Sequence, residues 1–329
     1  MTDLKLTLTL VGFIIATFLL ACFLGSTPLG LEQFFQGLFG FGDQADRLVI
    51  WEIRAPRSIA AMLVGGALGL SGAALQGLLR NPLAEPGVLG VSASASLGAT
   101  LVIFYGLAEF SQLLIPIAAV STAIIATIFL TMVATRFSSI TTLILIGIGL
   151  SSVAGAVMAL LLNLAPNPFS LADLVNWTLG SVANRSFDDI ALAAPLLMLG
   201  TIIIMRKHRE LAALSLGDEG AFAIGVHLTQ TRMQIVLGTG IITGTAVSLA
   251  GAIGFVGIVA PHIVRPFVQF NPSRLLLPSA LTGGLMLMLA DIGVRILPTS
   301  TELKLGVVAA LVGAPLFILI AAKGRLTND

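Results

Sequence analysis

Ten apolar stretches, each bounded by charged residues, Pro or Gly, constrain the fold of this chain more than any other feature. They cover about 5–25, 58–79, 90–107, 112–135, 141–164, 188–205, 230–250, 257–269, 275–296 and 306–322. A helix needs roughly 20 apolar residues to cross the hydrocarbon core of a bilayer. Charged residues make up only 10% of the chain, against about 25% in a soluble domain. We therefore predict an all-α polytopic membrane protein, with residues 1–329 forming a single transmembrane domain of about ten helices.

The stretch at about 257–269 is too short to cross the membrane as a regular helix. A Gly-rich sequence from Gly251 to Gly257, with Gly254 between them, precedes it, and we expect this backbone to be unwound. Irregular backbone at membrane depth is stable only where it is buried in protein or lines a cavity. The unwound part is therefore expected inside the bundle.

The basic residues predict the orientation of the bundle. With the N-terminus in the cytoplasm, ten spans place eleven of the 17 Lys and Arg residues on or toward the inside. Cytoplasmic loops carry an excess of Lys and Arg, so this orientation is favoured. It puts both termini in the cytoplasm. The six basic residues left outside are Arg47, Arg54, Arg57, Arg185, Arg295 and Lys304.

Two segments outside the spans are long enough to have a function. The outer one, Ser26–Arg57, reads as a partly polar loop with amphipathic character. The inner one, at about 206–228, reads as two short helices broken at Gly217. It carries Leu, Phe and Ile outside any span, which indicates a surface that another protein covers. The alternative is a helix that lies in the lipid interface.

Three blocks of sequence carry a specific pattern. They are Arg54-Ala-Pro-Arg57 with the Gly-rich stretch 65–77 and Asn81-Pro-Leu-Ala-Glu-Pro-Gly; Leu214-Ser-Leu-Gly-Asp-Glu219 with Gly225; and Gly251–Arg265 with Asp291, Arg295 and Glu302. Together and in this order they resemble the permease subunits of type II ABC importers, the family that takes up ferric siderophores, haem and cobalamin. The resemblance extends from about residue 50 to 322.

The resemblance implies the type II importer permease fold and a set of partners. A homodimer, or a pair of similar permease subunits, would enclose one central pathway in contact with membrane lipid. Two cytoplasmic ATP-binding subunits would lie below it and a periplasmic substrate-binding protein above it. The residues expected to couple the permease to the ATPase are Leu214, Leu216, Gly217, Asp218, Glu219 and Gly225. For Asp218 and Glu219 a merely solvated acidic face is the alternative.

Arginines at the outer ends of spans are the candidates for docking a binding protein. Arg54 and Arg57 are three residues apart and share a face if the segment is helical. Guanidinium groups suit interface pairs with carboxylates, and the resemblance adds Arg295. The alternative is that these arginines anchor helix ends at the lipid headgroups. Asp291, four residues before Arg295, is expected to form an intrahelical ion pair with it rather than to carry protons.

Other polar residues of the blocks are expected to shape the pathway. Asn81 and Pro82 begin a stiff inner turn, in which Glu85 contacts the ATPase or holds the turn internally. His262, after Pro261, is expected to bond backbone groups freed by the unwound stretch rather than to bind a metal. By resemblance, Ser138, Ser139, Thr141 and Thr142 form a cytoplasmic gate, although such hydroxyls also serve as ordinary helix caps. Lys304 departs from the family pattern, which has Pro at this position.

The function expected from these observations is the permease of an importer that moves a ferric siderophore by alternating access. Cobalamin or haem is the alternative substrate, and an ion-coupled secondary transporter is the alternative class. The chain lacks the Walker A sequence, so we expect no enzymatic activity of its own and a separate ATPase subunit. We expect no cofactor and no metal site. The 17 basic and 16 acidic residues give no nucleic-acid footprint.

Overall fold

A computed structural model describes residues 3–111, 113–136, 140–297 and 302–326, whose regular structure is helical and includes no strand. The helices are α1 (Asp3–Phe23), α2 (Leu31–Phe39), α3 (Gln44–Leu48), α4 (Ala55–Leu79), α5 (Val91–Phe104), α6 (Leu114–Arg136), α7 (Ile140–Asn163), α8 (Pro168–Thr178), α9 (Phe187–Met205), α10 (His208–Ala213), α11 (Gly217–Ala223), α12 (Leu228–Ala250), α13 (Val256–Val264), α14 (Pro272–Ile296) and α15 (Leu305–Leu326). Short 3₁₀ turns cover Leu107–Glu109, Leu214–Leu216 and Arg265–Val268, and a π-helical turn covers Val49–Arg54.

The predicted ten spans each correspond to one helical element. Among the described residues, seven helical segments are long and apolar enough to cross a membrane. Three shorter apolar segments are α5, α13 with its 3₁₀ turn, and Leu305–Ile318 within α15. The all-α prediction is therefore confirmed, and the shorter segments account for the remaining three spans.

Helix α4 is at the centre of the bundle because its small residues let other backbones touch it. A Cβ atom added to Gly65 would lie 2.2 Å from the carbonyl oxygen of Gly283 on α14. One added to Gly72 would lie 1.8 Å from the carbonyl oxygen of Gly257 on α13. Side chains cannot fit at either crossing, so α4, α13 and α14 pack backbone to backbone, as small residues allow in membranes.

The unwound stretch before the eighth span is present as predicted. Helix α12 ends at Ala250, and residues 251–255 are not helical before α13 begins at Val256. Gly251 has a φ of +68°, and a Cβ atom there would lie 2.3 Å from the carbonyl oxygen of Trp177. The stretch is two residues shorter than expected, since Val256 and Gly257 are already helical.

The outer segment Ser26–Arg57 is mostly helical, so the prediction of a loop is wrong. Helices α2 and α3 and the π-helical turn lie within it, and the helical structure continues into α4 without a break. The reason is amphipathic packing: Phe34 and Ile50 are buried with Leu29 against Cys22 at the end of α1. This small second core makes the first outer segment part of the bundle.

Candidate functional site

The segment between α9 and α12 has the predicted broken form. Helix α10 and a 3₁₀ turn lead to Gly217, whose φ of +87° breaks the chain direction at the start of α11. A second glycine with positive φ, Gly225 at +88°, follows the end of α11. Both conformations are ones that glycine adopts without the steric cost of a Cβ atom. The two glycines therefore define the compact coupling segment.

One side of the coupling segment is fixed to the bundle and the other is open. Leu211, Leu214 and Ala221 are fully or almost fully buried. Leu216, Phe222 and Ile224 are 63%, 71% and 62% exposed. The open side is therefore an apolar surface outside the spans.

This division corrects one candidate and adds two. Leu214 was expected on the coupling surface, but it is an internal anchor, because the 3₁₀ turn directs it toward the bundle. Phe222 and Ile224 were expected in this apolar surface by residue type, but they were not among the residues singled out for coupling.

Asp218 ties the coupling segment to two spanning helices. Its carboxylate lies 2.6 Å from a guanidinium nitrogen of Arg232, near the start of α12, and 3.6 Å from one of Arg80, directly after α4. The alternative of a merely solvated acidic face is therefore wrong for Asp218. Glu219, beside it, is exposed. The carboxylate of Asp218 therefore connects the coupling segment to the end of α4 and the start of α12.

A buried ion network occupies the opposite end of the bundle. Arg57, on α4, donates to Asp291, on α14, from Nε at 2.9 Å and from a terminal nitrogen at 2.7 Å. Arg57 also donates to Glu302, just before α15. Asp291 pairs with Arg295 one turn later, which confirms the predicted intrahelical pair. We call Arg57, Asp291, Arg295 and Glu302 the outer ion network.

Arg54 is next to this network but has a different role. It donates to the backbone carbonyls of Cys22 at 3.0 Å and Phe23 at 2.5 Å, and also to that of Thr27. The first two carbonyls end α1, where helix carbonyls have no partner within the helix and a cation is favourable. Arg54 therefore holds the outer end of α1 against α4.

The expected surface position of the docking arginines is wrong for Arg54 and Arg57. They are only 3% and 9% exposed, because carboxylates and carbonyls within the chain surround them. Arg295 also donates inward, to the carbonyl of Ala21 and to Ser58, both at 3.0 Å. A single sequence conceals this arrangement because the partners of these arginines are distant in the chain, and docking by these residues stays a prediction.

The inner turn after α4 is held internally. The side chain of Asn81 accepts from the backbone N–H of Leu83 at 2.9 Å, so the turn closes on itself around Pro82. Glu85 accepts a hydrogen bond from the backbone N–H of Phe255, in the unwound stretch. Of the two roles considered for Glu85, the structure therefore shows the internal one.

His262 does not form the expected bond. Its half-buried side chain makes no hydrogen bond within the described part of the chain, because α13 is already helical from Val256 and its backbone groups bond one another around Pro261. No group of three or more His, Cys, Asp or Glu side chains that could hold a metal ion occurs in the ranges that the structure describes.

Two of the four candidate gate residues lie at the start of α7. Thr141 and Thr142 begin α7, Thr141 with its side chain exposed. Ser138 and Ser139 lie outside the described residues.

At the outer end, the carbonyl of Lys304 accepts from the backbone N–H groups of Val307 and Val308, so this residue caps α15 in place of the usual proline.

The fold and these sites define a polytopic membrane protein with an exposed apolar surface outside its spans. The profile of the FecCD transport family matches residues 13–323. The ABC transporter permease YvrB of Bacillus subtilis, itself uncharacterised, is 39% identical over 89% of this chain and 84% of its own length. The vitamin B12 import system permease protein BtuC of Salmonella paratyphi A is 38% identical over 84% of both chains.

A solved structure agrees with the sequence relatives. It shows an inward-facing conformation of a transporter classed as a metal-chelate type ABC transporter, with 29% identity. It superposes with a TM-score of 0.88 and covers 97% of this chain and 99% of that one. The chain belongs to the FecCD transport family of ABC transporter permeases.

Proposed function

We propose that this chain is the translocation subunit of an ATP-driven importer for a large metal chelate in the cell inner membrane. Two copies, or this chain and a similar subunit, would enclose the pathway. A cytoplasmic ATP-binding subunit would cover the coupling segment and a periplasmic binding protein would dock at the opposite end. The family membership favours this mechanism over an ion-coupled secondary transporter.

The exposed apolar side of the coupling segment carries the proposal. Leu216, Phe222 and Ile224 cost free energy in contact with water, and a protein partner would remove that cost. Asp218 joins the same segment to α4 and α12. A partner that closes on ATP would therefore move two spanning helices, as alternating access requires.

The first test removes the largest of the three exposed side chains. Truncating a central aromatic residue of an interface costs about 2 kcal/mol or more, roughly a thirtyfold loss in affinity. Phe222→Ala should therefore weaken co-purification of the ATP-binding subunit and reduce ATP-dependent uptake in vesicles. Ser215→Ala is the matched control, because Ser215 is exposed in the same segment and its hydroxyl donates to the nearby carbonyl of Ala212. Unchanged affinity in Phe222→Ala would remove this surface from the proposal.

The second test separates coupling from binding. Asp218→Asn keeps the apolar surface but removes the ion pairs with Arg80 and Arg232. We expect the ATP-binding subunit to bind this variant and hydrolyse ATP while substrate uptake falls. Equal losses of hydrolysis and uptake would show that Asp218 acts on binding. Substrate accumulation by the wild-type chain without an ATPase subunit would refute the mechanism as a whole.

The proposed substrate class is a large metal chelate, and the sequence and two relatives support it. A ferric siderophore is the expectation from the sequence, and the similarity to a vitamin B12 permease favours cobalamin as the second candidate. Both are large metal chelates, the class named for the solved relative. ATP-dependent uptake of radiolabelled cobalamin and of a ferric siderophore, each with its binding protein, decides between them. Uptake of neither would contradict the proposed class.

The outer mouth and the gate complete the proposal. Because Arg54 and Arg57 are buried, we propose that they hold the shape of the outer mouth, where Glu302 is exposed at its rim. A binding protein would recognise that shape rather than those guanidinium groups directly. At the inner end, we propose that Thr141 and Thr142 contribute to the gate.

A further inference from the structure

A cavity of about 1050 Å³ opens between α6 and α9, at the ends where both helices begin. Helix α12 packs against both and closes the back of the cavity. Its volume is close to the upper end for small-molecule sites, about 1,000 Å³. None of its lining residues belongs to the coupling segment or to the outer ion network. The cavity is therefore a separate site.

The walls of the cavity are of two kinds. Along α6 and α9 they are apolar, with Val120, Leu192 and Leu196 among the lining side chains. Most of the surface of these two helices is not covered by the rest of the chain, so the apolar part opens toward lipid. The end of the cavity near the start of α9 carries the charged side chain of Arg185 and the indole of Trp177. A ligand with a polar head and an apolar body matches this division.

Arg185 and Trp177 present unused donors at the polar end. The guanidinium carbon of Arg185 lies 5.9 Å from the centre of the Trp177 ring. Its Nε and the indole N–H of Trp177 are buried and have no hydrogen-bond partner among the residues described. Burial lowers the pKa of Arg185, and the carboxylate of Asp189 offsets this only in part. Asp189 already accepts from the backbone N–H and the hydroxyl of Ser186, both at 2.9 Å.

Buried donors without acceptors are costly, and two of them side by side indicate a missing acceptor. A phosphate group fits, because guanidinium recognises phosphate oxygens through parallel hydrogen bonds. The lining also includes two exposed carboxylates, Glu109 and Asp188. They would repel a purely anionic ligand and attract a cation beside the phosphate. The charges therefore match a zwitterion.

We propose that the cavity binds one phospholipid whose headgroup joins a phosphate to a primary ammonium group, as in phosphatidylethanolamine. The phosphate lies against Arg185 and Trp177, the ammonium lies near Glu109 and Asp188, and the acyl chains lie between α6 and α9. Trp and Arg side chains at helix ends are at the depth of lipid headgroups, which is consistent with this position.

Fluorescence of Trp177 reports the occupant directly. The chain has two tryptophans, so Trp51→Phe leaves Trp177 as the single tryptophan, which is excited selectively over Tyr105. Delipidated full-length protein in detergent is titrated with phospholipids brominated on the acyl chains, which quench a nearby indole. We expect saturable quenching by the phosphatidylethanolamine form, at least about tenfold weaker affinity in Arg185→Gln, and unchanged affinity in Arg47→Gln, an exposed arginine outside the cavity.

Two further arms identify the headgroup and its source. Glu109→Gln, which changes only an exposed rim residue, should reduce the preference for phosphatidylethanolamine over phosphatidylglycerol while leaving the protein folded. Inorganic phosphate at millimolar concentration should not compete with the brominated lipid. Equal quenching by every lipid in wild type and Arg185→Gln, or displacement by phosphate alone, would overturn the proposal of a specific phospholipid site.

Discussion

The stability of the outer end of the bundle should depend on Asp291 more than on any other residue of the outer ion network. Asp291→Asn removes its charge and leaves the volume of the side chain almost unchanged. In Asp291→Asn, Arg57 loses the carboxylate that accepts from two of its nitrogens, and Arg295 loses its ion-pair partner. The side chains of Arg57, Asp291 and Arg295 are 11%, 1% and 7% exposed. Solvent screening, which weakens ion pairs at the surface, therefore has little effect on these pairs.

The magnitude follows from the buried position of the pair. Removing one partner of a buried ion pair costs about 3–5 kcal/mol, because the other charge is left without compensation. The amide of the substituted side chain still offers one carbonyl oxygen, and Glu302 still faces Arg57, so we expect the lower end, about 3 kcal/mol. Since every 1.4 kcal/mol is a factor of ten, opening of this end should become about a hundredfold more frequent.

Cys22 provides the assay. It is the only cysteine in the chain, it is fully buried, and its carbonyl and that of Ala21 accept from Arg54 and Arg295. The rate at which a maleimide labels Cys22 in nanodiscs therefore reports the opening of this region. We expect labelling of Asp291→Asn to be about a hundred times faster than that of wild type. Asp173→Asn, which changes an exposed carboxylate on α8, should label at the wild-type rate.

A double-mutant cycle separates this network from a general loss of stability. If the pair acts as a unit, Arg57→Gln and Asp291→Asn combined should cost clearly less than the sum of the two single changes. Strict additivity, or wild-type labelling in Asp291→Asn, would refute the claim that the outer ion network holds α4 and α14 together.

Two further predictions concern packing and pH. Gly65→Ala should destabilise the protein in a thermal unfolding assay, because the added methyl group would lie 2.2 Å from the carbonyl oxygen of Gly283. In the control Gly66→Ala the methyl group meets its nearest atom only at 3.4 Å, so this change should be neutral. Equal effects of the two changes would contradict the packing argument. Burial raises the pKa of Glu210, but the bond from Lys207 at 2.8 Å outweighs it and the pKa lies below the ordinary value. The stability that this pair contributes is therefore present at neutral pH and lost as pH falls below about 4.3, and Glu210→Gln should remove that part of the pH dependence of unfolding.

The spans were predictable because lipid offers no hydrogen-bond partners to the backbone. Each apolar stretch must satisfy its own hydrogen bonds, and helices do this within one segment. The unwound stretch before α13 was predictable for the same reason, since a stretch as short as 257–269 cannot cross regularly. The outer helices α2 and α3 were missed because they lie outside the spans, where composition alone separates helix from loop poorly.

The sites were less predictable, because their geometry depends on partners distant in sequence. Arg57 and Asp291 are 234 positions apart, so nothing near Arg57 indicates that its charge is neutralised within the chain. Asp291 and Arg295 were predictable, being one helical turn apart. The partners of Asp218 were hidden for the same reason: Arg80 lies directly after α4, and Arg232 lies on α12. Local spacing therefore reveals pairs within a helix and conceals those between helices.

The contacts between helices also indicate which part of the permease moves as one body. At its inner end α4 is followed by Arg80, which faces Asp218 of the coupling segment, and near its outer end Arg57 bonds Asp291 of α14. Between these points Gly65 and Gly72 hold α4 against α14 and α13 with backbones in contact. Packed interfaces of this kind resist continuous deformation. A displacement of the coupling segment should therefore shift α4 and α14 together, and the change of access should occur where helices pack less tightly, as along the largely exposed α7.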